Sequence, residues 1–434
     1  MGREIDRHQF DQADFARFEQ KLRLGLEALA TVLERPGFGA GEPTLGAELE
    51  MSLIDGDSRP FTGNAAVLDD LDDPRVELEL DQFAIEFNAD PVPLAGRSFG
   101  ALARDLDAGL RSIDAAAQRH GARIAPIGIL PTAGPEDVGP GALTPGHRFR
   151  ALVSALEQLN PREVLEIAGP EPLSVSPGHV TLEGANASFQ IHLKVPPERF
   201  APIFNAAQLA TGPVLAAAAN SPTFLGHLLW EETRVPLFHQ AIDGHHGGAI
   251  EWRPYRVAFG HGWLRDGPLE LFAEGVALHP PLLPVCDDGD DLADAAAGRV
   301  PALAELRLHH GTIWRWNRPV YDAHGDGHVR IEMRALPSGP TVRDMVANAA
   351  FLIGLSFAFA EEDWVYTAMP FEGARRNFFK AARDGLDAEL LWPERAAPSP
   401  RPIAARELVR RLAPLATRGL AIAGVDDDEA ADLV

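Results

Sequence analysis

Thr44-Leu45-Gly46-Ala47-Glu48-Leu49-Glu50-Met51-Ser52-Leu53-Ile54 is the stretch on which the reading of this chain turns. Leu45, Ala47, Leu49, Met51 and Leu53 alternate with Gly46, Glu48, Glu50 and Ser52. Side chains two apart on a strand share a face. The alternation therefore predicts a strand that is apolar on one side and carries two carboxylates on the other. Alone, such a face is the ordinary solvated side of a sheet. Its meaning depends on what the rest of the chain sets beside it.

Three further segments repeat the pattern. Over 187–195, Phe189, Ile191, Leu193 and Val195 alternate with Gln190, His192 and Lys194. Over 328–336, Glu332 and Arg334 fall on one side, with Ile331 and Met333 on the other. Residues 76–88 read as more sheet, carrying Glu77, Glu79, Asp81 and Glu86, the last between Ile85 and Phe87. Shorter strands are expected over 123–130 and 314–316. Helical spacing marks 14–34 (Phe18, Leu22, Leu26, Leu29, Leu33), 99–120, 148–159, 197–219, 341–359, 374–391 and 404–412. Residues 287–297 and 396–402 read as loops, and Asp426-Asp427-Asp428-Glu429 as a solvated, frayed end. No repeat or long linker divides the chain. The expectation is one α+β domain over 1–434, with a mainly antiparallel sheet and helical segments 1–40 and 370–434 packed on it.

Composition narrows the function. Of 434 residues, 46% are hydrophobic, enough for a large core. Lys plus Arg number 39 against 63 Asp plus Glu, a net charge of -24. Such a surface repels phosphate backbones and anionic lipid, so neither nucleic acid nor a membrane surface is an expected partner. A single cysteine, Cys286, permits no internal disulfide and fits a reducing, cytoplasmic setting. Its acidic neighbours Asp287 and Asp288 argue against a thiolate nucleophile. The first residues hold no apolar run of signal-peptide type. The apolar stretch 345–360 is short for a membrane span and reads as a core helix. The expected partners are small molecules, and a homo-oligomer is compatible with everything above.

Several carboxylates aimed from separate strands into one cleft would repel one another, and cations remove that repulsion. Hard oxygen ligands suit magnesium or manganese, which commonly share a site with substrate phosphates. Zinc would more often bring His or Cys at short spacing, and neither HExxH nor CxxC occurs.

Taken together, these segments resemble the second family of glutamate–cysteine ligases, which includes bacterial carboxylate–amine ligases and plant-type enzymes. The resemblance runs through Gly46-Ala47-Glu48-Leu49-Glu50, Ile85-Glu86-Phe87, Ser188-Phe189-Gln190-Ile191-His192, Ala219-Asn220-Ser221-Pro222, Arg330-Ile331-Glu332-Met333-Arg334 and Ala382-Arg383-Asp384-Gly385-Leu386. It implies the glutamine synthetase/guanidino kinase catalytic fold, in which a curved antiparallel sheet holds ATP and metals on its concave face. By position it implies Glu48, Glu50, Glu86, His192 and Glu332 as metal ligands and Arg334 as the γ-phosphate contact, with Gln190 and Lys194 on the nucleotide side. Arg234 would meet the substrate carboxylate or acyl phosphate. The implied reaction is amide formation through an acyl phosphate, using ATP and magnesium, with no covalent enzyme nucleophile.

The chain departs from the well-known members after Pro222, where it runs Thr223-Phe224-Leu225-Gly226-His227-Leu228-Leu229-Trp230-Glu231-Glu232-Thr233-Arg234. Segments 253–263 and 310–319 are also divergent, so Arg253, Trp316 and Asn317 are expected to shape the substrate pocket. Arg256 pairs with Arg253 as a second anion clamp or as a surface ion pair, and Arg315 or Arg318 is placed near phosphate. His245-His246 reads as a loop, and His309-His310 as a possible transition-metal pair. Two other readings stay open: a phosphoryl transferase on the same fold, and a non-catalytic nucleotide or metabolite sensor.

Overall fold

The computed structural model describes residues 5, 9–159, 164–176, 178–243, 254–362, 364–395, 397 and 399–434. Strand β1 (Thr44–Ile54) forms as its alternation predicts, with Leu45, Leu49, Met51 and Leu53 fully buried. It lies near the middle of a seven-stranded sheet. The other members are β2 (Val76–Leu78), β3 (Ala84–Pro93), β4 (Arg123–Ala125), β5 (Phe189–Lys194), β6 (Asn317–Asp322) and β7 (His328–Met333). Their order is β6-β7-β5-β1-β3-β2, with β4 also paired to β1, and every pairing is antiparallel. The sheet curls into a half-barrel, because each strand twists against the next and the β1–β3 register shifts between Leu45 and Ala47.

Helices cover the apolar face. Helix α1 (Gln12–Leu33) begins with a capping box between Asp11 and Asp14 and buries Phe18, Leu22, Leu29 and Val32. Next come α2 (Ser98–Arg119), α3 (Pro197–Ala218), α4 (Pro268–Leu278), α5 (Val342–Glu361), α6 (Phe371–Asp384), α7 (Ala405–Ile422) and α8 (Asp427–Leu433). Helix α5 is long and apolar enough to cross a membrane, but it is mostly buried between α3 and α7. One apolar cluster runs from Ile5 to Ala430 and joins both ends of the chain to the sheet.

Several elements differ from expectation. The helix predicted over 374–391 stops at Asp384, because Gly385 takes φ 54° and its backbone turns away. The chain then forms the hairpin Glu389–Trp392 with Arg401–Ala404. Residues 314–316 are not a strand. Arg315 makes a single bridge to Ala258, and the strand proper starts at Asn317. The expected loop 287–297 contains the helix Asp291–Ala296, whose cap Asp290 accepts from the Ala293 N–H at 3.0 Å. Within 123–130 only Arg123–Ala125 is strand, and the helix at 404–412 continues to Ile422.

The acidic tail is the clearest correction. Instead of fraying, it folds as α8 and buries Glu429. The Glu429 carboxylate accepts from the Phe99 N–H at 3.2 Å and the Gly100 N–H at 2.8 Å, two groups that the start of α2 leaves unpaired. Glu429→Ala is expected to cost about 1.5–3 kcal/mol, the range for hydrogen bonds to a charged group. Urea unfolding measures it, and a change below about 0.5 kcal/mol would mean the tail is not anchored there.

Candidate active site

Cross-strand register gathers the polar residues on the concave face. Glu50 faces Glu86 on β3, which in turn faces Glu77 on β2. Glu48 faces Gln190 on β5, and Glu332 on β7 lies between His192 and Arg318. These side chains line a cleft of about 690 Å3. Phe272, Leu283, Leu308 and Trp314 add apolar surface to its wall.

Two clusters of possible cation ligands stand in the cleft. In the first, ligand atoms of Glu48, His192 and Glu332 lie within 4.8 Å of one another. In the second, Glu50, Glu79 and Glu86 do the same. The first is balanced by protein cations. Arg318 grips Glu332 through Nε and through Nη2 at 3.0 Å. Arg334 Nη1 lies 3.3 Å from Glu332 Oε2 and donates to Gln190 Oε1. Burial alone would raise the Glu332 carboxyl, but Arg318, Arg334 and His192 hold it far below the usual carboxylate range. Burial likewise opposes Glu48, which His192 nevertheless holds at about 2.

The second cluster is unbalanced. Burial, then Glu48 and Glu79, push Glu86 well above the ordinary carboxylate value. Burial and Glu79 raise Glu50 to about 7, although Arg334 and the Ser188 N–H pull the other way. Burial also raises Glu79. Glu183, on the same cleft, rises to about 8 through burial, Glu50 and Glu79. Three convergent carboxylates of this kind fit a hard dication such as magnesium.

His192 fits less simply. Its Nδ1 accepts from Arg330 Nε at 2.8 Å. In that arrangement the ring hydrogen belongs on Nε2, which lies 3.0 Å from Glu48 Oε1 without hydrogen-bond alignment and 3.6 Å from Glu332 Oε1. To ligate through Nε2, the ring must move that hydrogen to Nδ1 and give up Arg330. Glu48 and Glu332 need no such change.

Cation binding is therefore expected to depend on pH. Carboxyls raised in the cation-free fold stabilise it below their unfolded pKa, and that contribution is lost as pH rises through the folded values of about 7 for Glu50 and about 8 for Glu183. A dication binds the deprotonated forms and must displace protons at lower pH. The gain in Tm on adding magnesium should be larger at about pH 8.5 than at about pH 6. Equal gains, or a larger gain at the lower pH, would count against this cluster as the cation site.

The structure thus brings together Glu48, Glu50, Glu86, Gln190, His192, Glu332 and Arg334. Arg318 joins them on the cleft wall, whereas Lys194, Arg234, Arg315, Trp316 and Asn317 do not line it. Lys194 sits at the strand end, where Nζ donates to the Ala40 carbonyl at 2.9 Å. Arg234 is buried, with Nε on Glu232 at 2.7 Å and Nη2 on the Ala335 carbonyl at 2.6 Å. It braces the chain just after Arg334 and is not part of the cleft wall. Trp316 packs in the core against Phe238 and Phe378. Asn317 points through the opposite face to Gln208 and Thr211.

Arg256 is neither clamp nor surface pair. It is buried on the carbonyls of Thr312 and Pro280. His309 and His310 are buried as well, each with Nε2 on a backbone carbonyl. Arg253, His245 and His246 lie outside the described residues. Cys286 is raised, mainly by burial, as an unreactive thiol should be. Sequence reasoning passed over Glu79, Glu183, Arg148 and Arg330 as site residues. Glu79 carried a signal, since Glu77-Leu78-Glu79 repeats the Glu-x-Glu pattern. Glu183 carried none, because it lies on a 3-10 turn at Val180–Ala185.

Comparison with known proteins agrees with this geometry. The model of the family described as "Glutamate-cysteine ligase family 2" matches residues 44–429. No curated protein matches the sequence. Among solved structures, a glutamate–cysteine ligase from Francisella tularensis in complex with AMP superposes with TM-score 0.52 at 9% identity, covering 91% of this chain and 81% of that one. That likeness shows a shared fold. A bifunctional glutathione synthetase from Pasteurella multocida (TM-score 0.43, 10% identity, 97% of this chain and 49% of that one) and GmaS in complex with ADP (0.35, 12%, 94% and 72%) are looser matches that carry no argument. With the matched span covering nearly all of the fold just described, the chain belongs to glutamate–cysteine ligase family 2.

Proposed function

We propose that this protein is an ATP- and magnesium-dependent ligase that joins a carboxylate to an amine, with glutamate and cysteine as the first pair to test. The observation that carries the reading is the pair of acidic clusters on one concave face, set against Arg318 and Arg334. Glu50, Glu79 and Glu86 would hold one cation, and Glu48, Glu332 and neutral His192, with its ring hydrogen moved to Nδ1, a second. Magnesium, when bound, supplies positive charge against the phosphates and fixes their orientation.

The residues divide the remaining work. Gln190 and Glu332 hold Arg334 so that its guanidinium meets charge developing on the transferring phosphoryl group. Arg318 is positioned in the same way by Glu332. Phe272, Leu308 and Trp314 offer the apolar surface that a nucleotide base favours. A carboxylate oxygen attacks the terminal phosphorus of ATP, the bond to the bridging oxygen breaks, and ADP and an acyl phosphate result. The amine then attacks the acyl carbon, phosphate leaves with the carbon–oxygen bond pair, and the amine nitrogen gives up a proton to form the amide. Oxide is a poor leaving group and phosphate a good one, which is the reason for spending ATP.

The test is ADP release by purified protein with magnesium and paired amino acids. The reading expects release only when both an acid and an amine are present. A stable phosphorylated acid with no amide would point instead to phosphoryl transfer alone. Tight ATP binding without turnover of any pair would sink the ligase reading.

A further inference from the structure

A second cavity, of about 250 Å3, lies behind the sheet. Asn317 and Arg318 are neighbours on β6 and so point to opposite faces. Arg318 enters the acidic cleft, and Asn317 lines this other cavity.

Its polar lining is well defined. Arg315 is 4% exposed, and among the described residues its guanidinium has one partner, Glu274 at 2.5 Å. Glu274 is held in turn by His261 Nδ1 at 2.6 Å. The rest of the Arg315 guanidinium is left for the cavity that it lines. Asn317 is 1% exposed. Its amide nitrogen donates to Gln208 Oε1 at 2.6 Å and Thr211 Oγ1 at 3.1 Å, which fixes the orientation of the group. Its Oδ1 is then a buried acceptor with no partner. Such orphans are rare in folded proteins and mark places where something else binds. Phe204, Trp263 and Leu271 complete the wall with apolar surface.

We propose that this cavity binds a free α-amino acid as its zwitterion, with the carboxylate on Arg315 and the ammonium on Asn317 Oδ1. A simple anion would satisfy Arg315 and leave Asn317 Oδ1 orphaned, and a simple amine would do the reverse. The proposal does not rest on the ligase reading, since it uses no cleft residue.

Isothermal titration of the protein without ATP or magnesium tests it, the cavity's share of binding being what the Arg315 variants below remove. The probes are L-alanine, L-leucine and L-glutamate, with acetate and methylammonium as half-ligands. At least one amino acid should bind saturably, and each half-ligand should bind at least about tenfold more weakly. Arg315→Gln should weaken amino-acid binding by about 10- to 100-fold. Because Arg315→Gln strands Glu274 and can unfold the region, Arg315→Lys is a second arm, which keeps a cation beside Glu274 and gives up the planar fork. It should weaken amino-acid binding by at least about tenfold in protein whose melting shows it folded. Three results would overturn the proposal: no saturable binding of any of the three amino acids, binding unchanged in folded Arg315→Lys, or acetate binding as tightly as the amino acids.

Discussion

Glu332→Gln is expected to lower ADP release by about a thousandfold or more, because one carboxylate aims both Arg318 and Arg334 and belongs to one of the two candidate cation clusters. Glu332 is 1% exposed and has Arg318, Arg334 and His192 around it. The isosteric amide keeps the shape and removes the charge. Arg318 and Arg334 then lose the anion that aims them, and a cation beside His192 loses a ligand. Steady-state ADP formation with a productive amino-acid pair measures the effect. The change should fall on kcat, since the interactions involved strengthen as phosphoryl charge develops. A loss smaller than about tenfold would remove Glu332 from the reacting centre. Removing one partner of a buried charge group also destabilises the fold, by about 3–5 kcal/mol in comparable cases. Circular dichroism must therefore accompany the kinetics, so that lost activity is not lost protein.

Gly419→Ala is expected to be the most damaging single methyl group added at any described glycine. Helices α5 and α7 cross at Gly354 and Gly419, far from the cleft residues in the sheet. A Cβ built on Gly419 would lie 1.7 Å from the Gly354 carbonyl oxygen, and one on Gly354 would lie 2.3 Å from the Ala416 carbonyl oxygen. Both obstacles are backbone, so no rotamer change relieves them, and the helices must separate. Helix α5 is packed on α3, which covers the sheet, so separation opens the core. The cost should be about 3 kcal/mol or more, at the upper end for overpacking. Gly56→Ala is the control, because a Cβ there meets nothing within 4 Å, and it should stay within about 0.5 kcal/mol. Chemical denaturation of both variants decides the matter. Equal stability would mean that the helices are not in backbone contact.

The strands that carry the site were legible because two periods are hard to confuse. Apolar residues at alternate positions of β1, β5 and β7 define which side is buried, and that choice alone puts Glu48, Glu50, His192 and Glu332 on the other side. The order of strands was not legible. Glu332 meets His192 because β7 pairs with β5, a contact across 140 residues of chain. Local pattern has no bearing on such pairing, which depends on how the sheet closes its core.

Three candidates stand away from the cleft wall for related reasons. Arg234, Trp316 and Asn317 are polar or amphipathic side chains near motifs, and residue chemistry alone places them at the cleft. Burial decided otherwise for Arg234 and Trp316. Glu232 neutralises Arg234 inside the fold, and Phe378 encloses Trp316. Asn317 went to the far face because strand parity, set by Arg318 in the cleft, left it no other direction.

By itself the sequence determined an acidic half-buried sheet, because alternation and burial are local consequences of residue type. Tertiary structure decided which acids stand together, which are balanced by arginine and which still require a cation. Charge balance depends on distance through space, and only the pairing of β1, β3, β5 and β7 sets those distances.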